Sequence, residues 1–414
     1  MRAAQPQSFR ALRPTPDSAS RVAAVPYDVV NAQEAHALAE GNPLSFLHVS
    51  RAEIDLPSTT DAYADAVYRK AVDNFHALKA KAPLVVEETP SLYVYRLKMG
   101  NHVQTGIAGT FSIDEYDRGI IKKHEFTRRD KEDDRTRHMI DLRAQTGPVF
   151  LTYRASPAVD GVVSRVTART PLFDFKAPDG VQHTIWRAEA GEVKELVGAF
   201  GAIPTLYIAD GHHRAASAAR ARQQLGASGA RGEWDTVLAV AFPDDQTQVL
   251  PYNRVVKDLG SYTPQSLLAK LREQFEVKEL AAGPGRGEGA TPSRKGEVAM
   301  YLDGKWYTVM LGVPPANLSA AERLDVSWLQ ETVLTPILGI GDIRTDKRID
   351  FVGGARGTAE LEKLVNSGKF AVAFSLYPVS VADLMQVCDA GGIMPPKSTW
   401  FEPKLRDGLL SHLI

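Results

Sequence analysis

Residues 203–214 read Ile-Pro-Thr-Leu-Tyr-Ile-Ala-Asp-Gly-His-His-Arg, and an alanine-rich run extends from them to Gly226. The apolar residues 206–209 make a short strand. Residues 215–225 are strong helix formers, and Gly226 is placed to end their helix. Any fold of this chain must therefore let a strand hand over to a helix within a residue or two, at Asp210-Gly211. Asp210 is the expected N-cap.

That turn has chemistry built into it. The opening amides of a helix lack carbonyl partners, and the peptide dipoles add to a partial positive charge there. Gly211 lets a ligand come close to the backbone. His212, His213 and Arg214 add donors beside those amides, the arginine as a planar fork suited to phosphate or carboxylate. The corner is built for an anion, and phosphate is the first choice. Two other readings stand beside it. The histidine pair could ligate a metal, although adjacent helical residues point about 100° apart, which makes one shared ion difficult. Alternatively, the segment is a capped helix with surface histidines.

Four more segments carry candidate chemistry. In Val25-Pro26-Tyr27-Asp28 the proline biases Val25 towards an extended backbone, leaving Asp28 either to line a site or to cap a helix over residues 29–39. Residues 120–135 are the most charged stretch. Such runs are usually solvated faces, but this one starts behind Ile120 and Ile121, carries His124-Glu125, and reaches Asp133, Asp134 and Arg135. A helix is expected over 136–143. Residues 353–357, Gly-Gly-Ala-Arg-Gly, have the look of a phosphate cradle but lack the lysine of a nucleotide-binding loop. At 395–404 two prolines stiffen a loop that presents Lys397, Ser398 and Thr399 to an anion, or else packs Trp400 and Phe401 into a core.

The remaining pattern sets the fold class. Apolar residues recur at helical spacing over 60–81, and hairpins are expected at 92–111 and 297–310. Residues 42–49 suggest a turn and a strand. Strands are expected at 147–153, 172–175 and 183–187, and helices at 191–200, 261–275, 320–338, 358–366 and 381–390. The unbroken apolar runs 236–242 and 370–376 are expected to be strands buried on both faces. Residues 281–296 are rich in Gly, Pro, Arg and Ser, the composition of a flexible loop. Strands and helices alternate irregularly with hairpins between them, which predicts an α/β or α+β fold with a mixed central sheet. The expected segments are 1–260 as a core lobe, 261–320 as a hairpin-containing insertion, and 321–414 as an α/β segment that completes the site.

Bulk properties narrow the partners. With a net charge of −1 over 414 residues, the chain has no global field that favours nucleic acid or an acidic membrane. One cysteine, Cys388, excludes an intrachain disulfide and any cysteine-cluster metal site. No secretion signal or membrane-length apolar run is evident, so a cytoplasmic protein is expected.

The Asp210–Arg214 box after a strand resembles the signature of the ParB/sulfiredoxin superfamily, which includes free-serine kinases. The chain as a whole resembles the bacterial family known as domain of unknown function 1015. That resemblance rests on residues 25–28, His124-Glu125 with its acidic and arginine cluster, the 210–214 box, and Met394-Pro-Pro-Lys-Ser-Thr399. It implies a ParB/sulfiredoxin-like core with added α+β elements. Arg214, His213 and Lys397 as anion holders, with Asp28, Glu125, Asp133 and Asp210 as carboxylates for Mg²⁺ or a proton, form an inventory for phosphoryl transfer. The expected activity is a nucleotide-dependent phosphotransferase on a small hydroxylated metabolite. ADP or ATP with Mg²⁺ is the expected cofactor, and the resemblance points to serine or phosphoserine as substrate. Glu125 is the expected base, and Asp210 holds metal or orients the substrate. His213 and Arg214 grip phosphate, with His124, His212, Gly211, Arg135, Lys397, Ser398 and Thr399 lining the same site, and Asp28 and Asp133 reaching the metal. The alternative is a regulatory protein that binds a nucleotide or phosphometabolite without turning it over. A sulfiredoxin-like reductase is disfavoured, because the box has no cysteine.

Overall fold

The computed structural model describes residues 4–81, 84–280 and 290–414. They form two units: Met1–Thr247 with Pro403–Ile414, and Gln248–Glu402. The expected boundaries at 260 and 320 both fall inside the second unit, because strands on either side of them share one sheet.

The first unit is built on an eight-stranded mixed sheet. In chain order its strands are β1 (Tyr93–Met99), β2 (His102–Ser112), β3 (Ile121–Lys122), β4 (Val149–Tyr153), β5 (Phe173–Lys176), β6 (Gln182–Arg187), β7 (Leu206–Asp210) and β8 (Thr236–Pro243). Across the sheet they run β3-β7-β4-β8-β2-β1-β6-β5. The β1–β2 hairpin turns at Gly100-Asn101, where Gly100 takes a positive φ. Strand β8 is buried along its whole length, as its unbroken apolar run predicts. Alternate residues Val94, Ile107, Leu151, Ile208 and Ala239 meet in the core. The same unit carries the helices α1 (Asp65–Lys81), α2 (Arg129–Leu142) and α3 (His212–Leu225), and α2 packs against both of the others. The last twelve residues return to this unit and are tied in by backbone. Ser411 and Leu12 exchange bonds at 2.9 Å, and Asp407 and Ala24 do so at 2.9 and 3.2 Å.

The second unit carries a six-stranded sheet, in spatial order Glu276–Glu279, Lys305–Met310, Glu297–Leu302, Val372–Leu376, Tyr252–Val256 and Ile349–Gly353. The hairpin at Asp303-Gly304 forms as expected.

Several local expectations are corrected. Residues 42–49 hold no strand: Leu47–Ser50 is a helical turn that Ser45 helps to start, its hydroxyl accepting from the Leu47 amide at 3.3 Å. The charged run is itself helical from Arg129, and within it Asp134 pairs with Arg135 and Glu132 with Arg220 of α3. The helix expected over 320–338 is only Asp325–Leu329, followed by a wider π-type turn at Gln330–Leu334. Of the loop expected at 281–296, residues 281–289 lie outside the described residues.

Candidate functional site

The site grows from two neighbouring strands. β3 and β7 are parallel, with Leu206 opposite Ile121 and Tyr207 opposite Lys122. Parallel neighbours end at the same edge of a sheet, so His124-Glu125 and Asp210-Gly211 emerge side by side although far apart in sequence.

Helix α3 opens at His212, and its N-cap is Gly211 at φ +92°, not Asp210. A left-handed backbone there brings the helix axis off the strand abruptly, which only glycine does without strain. The space beside Gly211 is not left for a ligand. A Cβ at that position would lie 3.0 Å from the Arg214 guanidinium, which folds back over the turn. Arg214 donates to the Pro148 carbonyl and, at 3.3 Å, to Asp210 Oδ2, and its Nε is buried with no hydrogen-bond partner. Burial opposes its charge, yet Asp28 and Asp210 raise its pKa above the ordinary value. Arg214 thus stiffens the corner instead of offering an open fork. The cause is its place on the inward face of α3, among buried Ala215 and Ala218.

Asp210 keeps 29% of its side chain exposed while pairing with Arg214 at 3.3 Å and Lys404 at 3.5 Å. Burial pushes its carboxyl up, but Lys404 and then Arg214 outweigh that and hold it at about 2. His212 is buried, its ring edge-on to His124 with centroids 4.4 Å apart. The His124 amide donates to His212 Nε2 at 3.4 Å, while His212 Nδ1 lies 3.9 Å from Glu125 Oε2. Burial holds both imidazoles down, His124 to about 4, so both are neutral at pH 7. His213 points elsewhere, as the helical angle requires: it is half-buried, and its Nε2 accepts from the Arg128 amide at 3.1 Å. Glu125 keeps 35% of its side chain exposed.

The other acids and arginines are engaged with partners outside the His124–Glu125–His212 group. Arg135 spends its guanidinium on Asp134 at 2.8 Å and the Ser50 carbonyl at 3.3 Å, and stacks over Tyr27 at 4.2 Å. It borders a cavity of about 150 Å³ shared with Arg51, Tyr63 and Tyr68. Asp133 accepts from Arg220 of α3, and Ser217 of α3 donates to the Glu132 carbonyl at 3.2 Å, so both residues fasten α2 to α3. Asp28 caps nothing: Asn31 caps the helix Ala32–Ala39 with Glu34 closing the box. The exposed Asp28 instead acts through space on Arg214 and on Asp407.

Asp28 and Asp133 are therefore not brought together as Mg²⁺ ligands. Among the described residues one group of metal-ligating side chains converges, His124, Glu125 and His212, with ligand atoms all within 4.8 Å. Two imidazoles and one carboxylate do not fit Mg²⁺, which asks for oxygen donors.

Sequence reasoning missed the contribution of the last segment. Lys404, Arg406 and Asp407 are all buried, and Lys404 pairs with Asp210. The available signal was three charges set in an otherwise apolar run with Leu405, Leu409 and Leu410.

In the second unit, Lys397 is exposed at φ +60°, its carbonyl accepting from Arg254 at 2.9 Å and its ammonium 5.5 Å from the Tyr252 ring. Ser398 donates to the Pro395 carbonyl at 2.6 Å. Thr399 precedes the short strand Trp400–Phe401, which pairs with Val249–Leu250, so the segment packs its aromatics. Gly353 is not a phosphate cradle: a Cβ there would lie 2.7 Å from the Trp400 ring, so the glycine makes room for that packing.

Residues 7–327 match the family described as "Protein of unknown function (DUF1015)". No curated protein matches the sequence. Among solved structures, a free serine kinase in complex with AMP is similar at 13% identity and TM-score 0.34, covering 73% of this chain and 92% of that one. A mutant free serine kinase in complex with ADP is similar at 16% identity, with the same TM-score and coverage. A conserved hypothetical protein from Pyrococcus furiosus is similar at 15% identity and TM-score 0.33, covering 74% and 95%. Similarity at this level transfers no residue role. Among the described residues no helix is long and apolar enough to cross a membrane.

Proposed function

This chain belongs to the DUF1015 family, and we propose that it is a phosphotransferase that moves a phosphoryl group between a nucleotide and a small hydroxylated metabolite. The observation that carries the reading is the delivery of Glu125, Asp210 and the opening turn of α3 to one sheet edge by parallel β3 and β7. A helix start attracts phosphate, and carboxylates beside it can orient a hydroxyl and take its proton. Positioning and charge neutralisation are most of what phosphoryl transfer needs.

In this reading the phosphoryl group lies against the opening amides of α3. His213, whose Nε2 accepts from the Arg128 amide, carries its ring proton on Nδ1 and donates from there. The bond from phosphorus to the bridging oxygen of ATP or ADP breaks as the substrate hydroxyl oxygen attacks. Its proton passes to Glu125, leaving the shortened nucleotide and a phosphate ester. Asp210, held ionised by Lys404 and Arg214, orients the substrate's cationic or hydroxyl groups. Mg²⁺ would travel with the nucleotide's own phosphate oxygens. Serine and O-phosphoserine are the first substrates to try, because the box resembles that of the free-serine kinases in the ParB/sulfiredoxin superfamily.

The test mixes purified protein with ADP or ATP, Mg²⁺, and serine or phosphoserine, and measures phosphorylated products. The expected result is turnover that falls by about 10²–10⁴ in Glu125→Gln while the variant keeps its fold. Saturable nucleotide binding with no product under any pairing would replace the enzyme by a regulatory binding protein.

A further inference from the structure

We propose that His124, His212 and Glu125 form a binding site for one divalent transition-metal ion such as Zn²⁺. This goes beyond the phosphotransfer reading and does not depend on it. The three side chains offer two imidazole nitrogens and one carboxylate oxygen within 4.8 Å of one another. An ion bound at about 2.0–2.2 Å from each would draw these atoms to roughly 3–3.5 Å apart. The largest separation must close by roughly 1.3–1.8 Å to reach that geometry, and Glu125, the partly exposed member, is the arm with room to move.

The two rings are held before any ion arrives. His212 is the first residue of α3, and His124 stands two residues beyond β3, whose parallel pairing with β7 fixes the spacing of the two backbones. Both rings are buried, at 5% and 1% exposure, so their orientation is set by packing. Two polar contacts within the cluster are long. His212 Nε2 is 3.4 Å from the His124 amide nitrogen and His212 Nδ1 is 3.9 Å from Glu125 Oε2. Hydrogen bonds that tie a buried cluster together run nearer ~2.7–3.2 Å.

The donor set selects the ion. Imidazole suits Zn²⁺, Fe²⁺, Cu²⁺ and Ni²⁺, and two histidines with one carboxylate leave further positions for water or a substrate oxygen. Mg²⁺ and Ca²⁺ prefer oxygen. A carboxylate that ligates through one oxygen keeps the other for a proton, so this assignment and a proton-accepting Glu125 are compatible.

The experiment titrates chelator-stripped full-length protein with Zn²⁺, Mn²⁺, Co²⁺ and Mg²⁺ by calorimetry, without nucleotide, and counts bound ion by elemental analysis. The expected result is one equivalent of Zn²⁺ or Co²⁺, bound at least a hundredfold tighter than Mg²⁺, with Co²⁺ giving the visible spectrum of nitrogen ligation. His124→Gln and Glu125→Gln each weaken binding at least tenfold. The exposed His36→Ala leaves it unchanged, and an unaltered ion-free melting temperature shows that each variant folds. Absence of stoichiometric binding by the wild-type chain overturns the proposal, as does binding that survives both site variants. Because no nucleotide is present, either result is independent of whether the chain transfers phosphate.

Discussion

Gly211 shows how one residue fixes the site. At φ +92°, with the Arg214 guanidinium 3.0 Å from where a Cβ would stand, alanine meets both backbone strain and a clash. Gly211→Ala is expected to destabilise the first unit by about 1–3 kcal/mol, measured as a lowered midpoint in denaturant. Asp407 is the second telling residue. Burial raises its carboxyl to about 7, against the pull of Arg214, while an unfolded chain would titrate near ~3.9. Between those values the folded state holds the extra proton, so this group's stabilisation is complete below about 4 and is lost as pH rises through about 7. Thermal unfolding of wild type and Asp407→Asn from pH 5 to 8 should show the wild type losing ground to the variant as pH rises. A difference that stays flat with pH would contradict the raised value. The sequence disclosed neither residue's role in full. It marked Gly211 as permissive but not that Arg214 fills the space beside it, because which helix face turns inward depends on the sheet beneath.

At the scale of elements, the strand-to-helix handover was legible because an apolar tetrad, a glycine and an alanine-rich run each point the same way. The partner strand was not. β3 is two residues long, and nothing local says that it lies parallel to β7, so the meeting of His124 with His212 across 88 positions was invisible. The histidine geometry was half legible: helical spacing separates His212 from His213, but only tertiary structure supplies His124 as the nearer ring. Within the charged run Asp133 and Asp134 pair with Arg220 and Arg135, which nothing local to the run discloses. The returning segment Pro403–Ile414 gives an element-scale prediction. It contributes Lys404 to Asp210, exchanges backbone bonds with Leu12 and Ala24, and is almost wholly buried. A chain ending at residue 402 should lose more than ~5 °C in melting temperature, since it strips the backbone partners of Leu12 and Ala24 and leaves Asp210 with Arg214 alone. An unchanged melt would mean that the segment only decorates the surface.

The whole molecule divides by sheets rather than by the composition of its linkers. The mixed α+β architecture followed from alternating patterns, while the division at residue 247 lies inside a sequence with no Pro- or Gly-rich mark comparable to the stretch around 281–296. The near-zero net charge gives no field for a large polyanion, which directs attention to a local corner and a small ligand. That corner is what most needs testing. Backbone amide NMR of isotope-labelled protein, titrated with ADP and then with phosphoserine, measures it directly. The expected result is saturable shifts concentrated at residues 211–213 and 124–125. Saturable binding that leaves those amides unmoved while shifting others would contradict the anion corner as the functional site.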